Sequence, residues 1–118
     1  MVADLDDFGK PDPEGFSALL SEHLVRYEGM VCRKRAFDKS RIESSLVSKS
    51  PEEAQRQYNH THLLLYAEDV EIQREWARKL ERNWRERIDA EFPGLQVVTN
   101  RQDNGQEVIA TFLVLGVD

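Results

Sequence analysis

The stretch DVEIQREWARKLERNWRERIDAEFPG, residues 69–94, decides the fold. Ile72, Trp76, Leu80, Trp84, Ile88 and Phe92 recur at strict four-residue spacing, with Val70 and Ala77 widening the stripe. Asp69 is a good N-cap, and Pro93-Gly94 stops the helix near Phe92. Each step of four advances about 40° beyond a full turn, so the ladder winds by about 200° from end to end. One flat sheet reaches only part of that arc. A second helix, a subunit partner or solvent must take the rest, which makes Trp76, Trp84, Ile88 and Phe92 candidate interface residues. Arg74, Arg78, Arg82 and Arg85 share the opposite side but are interleaved with Glu71, Glu75, Glu81 and Glu86. That mixture describes a self-paired, solvated face better than a phosphate-binding stripe.

On either side of this helix the pattern changes to that of strands. THLLLYA, residues 61–67, is apolar on both alternating faces, as an interior strand would be, and LQVVT, residues 95–99, is a second strand. Asn104-Gly105 is the preferred pair for a two-residue hairpin turn, which sets Val97 opposite Phe112 and Leu95 opposite Val114. The final strand, VIATFLVL at 108–115, is apolar on both faces and belongs mid-sheet. Strands 61–67 and 95–99 should run parallel with 108–115 antiparallel between them, a split β-α-β unit. A basic segment at 30–37 completes the far edge. The expected fold is α+β: a two-layer sandwich with a mixed, mainly antiparallel four-stranded sheet, ferredoxin-like in type, and the long helix 69–92 packed on one face.

Residues 1–12 read as an acidic flexible arm and 13–118 as one α+β domain. Asp12, Pro13 and Glu14 open a helix whose apolar spacing through Phe16, Leu19, Leu20, His23, Leu24 and Tyr27 extends it to residue 28, with Gly29 closing it. Residues 38–50 carry five serines and fit either a weak helix or a loop. SPEE at 50–53 is a capping box that opens a short helix to about Tyr58.

The chain of 118 residues carries net charge −6, with 40% hydrophobic and 32% charged residues, a globular composition. An acidic chain is a poor default partner for nucleic acid, yet residues 25–50 alone hold seven bases against three acids. The single cysteine, the lack of an apolar span and the acidic N-terminus point to a cytoplasmic protein without a membrane partner.

Several residues invite chemistry. His60 and His62 project from one face of a strand and form an H-x-H pair for a metal, with His23, Cys32 or Glu68 as third ligand. Cys32 precedes Arg33, Lys34 and Arg35, a setting that lowers a thiol pKa, with His23 as its conceivable base. Arg33, Lys34, Arg35 and Phe37 combine bases with an aromatic ring, the ingredients of nucleic-acid binding, with Arg74, Arg78 and Arg82 in support. No phosphate-binding glycine loop, nucleophile elbow or zincin motif occurs, and no cofactor is implied. The leading expectation is a small non-catalytic domain that binds a protein, a homodimer included. The alternatives are nucleic-acid binding through 33–41, and a metal protein or enzyme built on His60 and His62.

Overall fold

The computed structural model describes residues 11–34 and 37–115; residues 1–10 of the predicted arm, and Arg35, lie outside them. Helix α1 (Pro13–Leu20) is capped by Asp12, whose carboxylate accepts from the Gly15 N–H at 2.9 Å. Strands β1 (Leu24–Tyr27) and β2 (Met30–Arg33) form a hairpin. Helix α2 (Lys39–Ser48) follows under an Asp38 cap, and α3 (Pro51–Asn59) under the expected Ser50 cap. Then come β3 (Thr61–His62), a 3-10 turn at Leu63–Leu65, α4 (Val70–Glu91), β4 (Gln96–Asp103) and β5 (Val108–Leu115). In α4 the Asp69 side chain accepts from the N–H groups of Glu71 and Ile72, as its cap position requires.

The fold is α+β with helices packed on antiparallel sheets, but it is not one four-stranded sheet. Three strands join in the order β3-β5-β4, and β1 and β2 form a separate pair. Both β3 and β4 run antiparallel to β5, so they are parallel to each other, with α4 between them in sequence.

Four expectations need correction. The helix read over 13–28 ends at Leu20, and Met30–Arg33 of the segment 30–37, expected at the edge of the main sheet, pair instead with β1. Glu28 and Gly29 both adopt positive φ, 47° and 82°, so LVRY and MVCR fold onto each other about a two-residue turn. Gly29 therefore turns a hairpin rather than closing a helix, and His23 lies exposed before β1. The interior strand read over 61–67 contracts to two residues at the sheet's edge, and Leu64 and Leu65 stand 46% and 75% exposed in the 3-10 turn. The β4–β5 hairpin is shifted by two: Val97 faces Val114 and Thr99 faces Phe112. Gly105 and Gln106 form the turn, because the Asn104 side chain accepts from the N–H groups of Gln106 and Glu107. A shift of two keeps every side chain on its expected face. A shift of one would not.

Strand β2 separates two cores. Val31 joins Phe16, Leu19, Leu80, Trp84, Ile88, Phe112 and Val114 on the α1/α4 side. Met30 and Cys32 point the other way, to Ile42 of α2 and Ala54 of α3. Alternation along a strand explains both placements, and burial on both faces explains why β2 is apolar. The middle of the α4 ladder is covered within the chain: sheet residues take Leu80, Trp84 and Ile88, and Phe16 of α1 stacks on Trp76 with ring centroids 4.5 Å apart, while Ile72, Trp76 and Phe92 keep part of their surface exposed.

Three buried carboxamides complete the sheet. Along the edge of β5 away from β4, Val108 N–H donates to Gln73 Oε1 at 2.8 Å and Thr61 pairs with Ala110. Further on, Asn59 Nδ2 donates to Phe112 O at 3.1 Å, and Gln55 takes both backbone groups of Val114. The same two α3 side chains reach β2 on their other side: Val31 N–H donates to Gln55 Oε1 and Arg33 N–H to Asn59 Oδ1. Polar side chains one turn apart on α3 thus stand where a longer β3 would have stood. All three amides are at most 1% exposed. Buried amides are tolerated at this depth only when so fully paired.

Candidate functional site

Of the candidate binding residues in the basic segment, Arg33, Lys34 and Phe37 are described, and each is placed differently. Arg33 directs Nε to Glu22 Oε1 at 2.6 Å and Nη1 to Thr61 Oγ1 at 3.0 Å, with side chains only 13% and 6% exposed in the ion pair. It fastens β2 to the exit of α1 and the start of β3. Lys34 is exposed, while Phe37 packs edge-on against Tyr27 beside the second core. Arg33 and Phe37 do share a groove of about 450 Å³ with Asp38, Arg41, Gln57, Tyr58 and His60. Its charges are mixed, and Arg33 is already neutralised.

On α4, Arg74 is also engaged. Its guanidinium pairs with Glu71 and meets Asp103 at 2.6 Å, which holds the Asp103 carboxyl below its ordinary value with help from the Gly105 N–H. Arg78 and Arg82 are exposed on α4. Trp84 and Ile88 are 1% and 0% exposed inside the chain's own core, and Trp76 and Phe92 pack against it. Trp84 and Ile88 are thus enclosed within the chain, while Trp76 and Phe92 remain partly exposed.

The rings of His60 and His62 lie 5.1 Å apart, but each has its own partner: Gln57 O for His60 Nδ1, and Glu107 Oε1 at 2.5 Å for His62 Nδ1. Among the described residues no group of three or more His, Cys, Asp and Glu converges as metal ligands. Cys32 is 1% exposed, and burial pushes its thiol up to about 11, the reverse of what its basic sequence neighbours suggested. Arg33, next to it on β2, turns to Glu22 and Thr61 on the other face of the strand.

The feature that sequence reading passed over is the outer edge of β4. Asn104 N–H donates to Glu107 O, and the even residues of β5 direct their backbone groups to Gln73, Thr61, Asn59 and Gln55. In an antiparallel ladder residues alternate between bonding inward and outward. The odd residues of β5 therefore bond to the even residues of β4 in the observed register. Val97, Thr99, Arg101 and Asp103 are left with N–H and C=O groups pointing outward. No described strand pairs with them.

This edge lacks several of the usual protections. Natural edges are blunted by Pro, charged side chains, bulges, a covering element or short length. Strand β4 has eight residues, no Pro or Lys and an unbroken register. Its two charged side chains both turn to α4, Arg101 to Glu81 at 2.7 Å and Asp103 to Arg74. On the other face stand Gln96, Val98, Asn100 and Gln102, all uncharged, with Val98 36% exposed. The signal was present in QVVTNRQD, but its polar second half reads as the end of a strand. No described helix is long and apolar enough to cross a membrane. No family model, curated protein or solved structure matches this chain.

Proposed function

We propose that this chain is a non-catalytic protein-binding domain that receives an extended segment along β4. The observation that carries the proposal is the open row of backbone groups at Val97, Thr99, Arg101 and Asp103 on a long, unbulged strand. Main-chain hydrogen bonds supply affinity in strand addition, and the flanking side chains select the partner. The support is strengthened by how the rest of the sheet is finished. The far edge of β5 is closed by β3 and three carboxamides, so β4 is the longest edge left open among the described residues. The bases offered for nucleic acid are in part tied down as ion pairs within the chain, at Arg33 and Arg74.

Thr99→Pro tests the proposal. Proline removes the outward N–H at the centre of the edge while the bonds of Val98 and Asn100 to β5 remain. A fluorescently labelled peptide of sequence 95–103 should bind the full chain saturably and lose that binding in the variant, with the far-ultraviolet spectrum preserved. Peptide binding indifferent to Thr99→Pro would contradict strand addition at this edge.

A further inference from the structure

We infer that the segment received by β4 is the β4 of a second copy, paired antiparallel about a two-fold axis at Thr99 or Asn100. The inference rests on the strand-addition proposal and names its occupant.

Backbone parity fixes the geometry. Only odd residues of β4 present outward N–H and C=O groups, so hydrogen-bonded pairs across the axis must join odd to odd. Directly opposed residues in an antiparallel pair share a face, and the odd residues face α4. Both α4 helices then lie on the same side, and the three-stranded sheet is doubled into one continuous sheet. The opposite parity would bring bonded edges together and leave every outward group unpaired.

Charge supports a second copy as the occupant. With the axis at Thr99, Arg101 meets Val97 and Asp103 meets Leu95; with the axis at Asn100, they meet Thr99 and Val97. Neither arrangement sets like charges directly opposite, a condition that would be destabilising. The uncharged row Gln96, Val98, Asn100 and Gln102 meets itself on the other face, joining amides to amides and to Val98. An isologous pairing of this type satisfies both open edges at once, closes, and cannot propagate into a fibre.

Sedimentation equilibrium of the full chain from micromolar to hundreds of micromolar concentration tests the inference. A reversible dimer is expected. Asn100→Lys, an exposed change that brings two ammonium groups together near the axis in either register, should weaken it at least tenfold. Asn100→Cys should couple two chains through a short bismaleimide, since Cys32 is buried and out of reach. A monomer at every concentration overturns the second copy as occupant. If that monomer still binds the 95–103 peptide in a Thr99-dependent manner, strand addition stands and its partner is another protein. A dimer unmoved by Asn100→Lys and by Thr99→Pro, or a monomer that binds no peptide, overturns both.

Discussion

Gln55 holds both backbone groups of Val114: its Oε1 accepts from the Val114 N–H at 2.9 Å, and its Nε2 donates to the Val114 C=O at 3.0 Å. A neighbouring strand would make the same pair of bonds. The Oε1 also accepts from Val31 N–H at 3.1 Å, so one side chain joins β5 to β2. Replacing Gln55 by Met keeps length and flexibility but strands three buried backbone groups. Each such loss costs about 1–3 kcal/mol, so the variant should be less stable by about 3–5 kcal/mol in urea unfolding. A change below about 1 kcal/mol would mean that the amide is not the joint between the two sheets.

The cover that α1 places on the ladder is testable by fluorescence. Phe16 is 4% exposed and lies flat on Trp76. Phe16→Ala should destabilise by about 3–5 kcal/mol, the range for truncating a buried aromatic side chain. It should also shift tryptophan emission to the red as Trp76 meets water, while dimerisation through β4 persists. Association that disappears with unaltered stability would move the interface to α1.

Glu22 and Arg33 form a largely enclosed ion pair at 2.6 Å, and Arg33 bonds to Thr61 as well. Glu22→Gln leaves the guanidinium short of its counter-charge. Stability should fall by about 3 kcal/mol, toward the low end for breaking a buried pair from one side. Chemical denaturation of the single variants and of the double variant with Arg33→Met separates the pair's coupling from packing.

Cys32 provides a pH test. Its folded pKa is raised to about 11 from an ordinary 9.0 by burial. The folded chain therefore keeps its proton where the unfolded chain loses it. This stabilising difference is complete below pH 9.0 and is lost as pH rises through about 11. Wild type should lose more stability over that window than Cys32→Ala, and thiol reagents should react slowly at neutral pH. Rapid modification of the native chain would contradict the burial.

The parts of the fold that were legible in the sequence are those governed by local pattern. Asp69, Ser50 and Asp12 cap as their spacing implied, α4 ends at Glu91 just before Pro93-Gly94, and the order β4-β5-β3 follows from two apolar strands around a long helix. Residues 24–28 were misread because Leu24 and Tyr27 suit a helical stripe as well as a strand. Only the left-handed Glu28-Gly29 pair distinguishes them. The shortening of β3 was not legible at all. Gln55, Asn59 and Gln73 are polar and count against burial in any periodicity, yet they are at most 1% exposed. Their role depends on backbone groups distant in sequence, which no local window contains. The candidate edge was hidden for a related reason: Asn100, Arg101 and Gln102 look like a loop until Arg101 is seen paired with Glu81.

The most direct measurement is amide hydrogen exchange along β4, resolved by residue and repeated over a range of protein concentrations. At high dilution the amides of Val98, Asn100 and Gln102 should be protected by β5, while those of Val97, Thr99, Arg101 and Asp103 exchange freely. Raising the concentration should protect the odd set selectively, as a second β4 takes up its outward groups. Odd and even amides that exchange alike, or an odd set indifferent to concentration, would contradict the pairing of two copies along this edge.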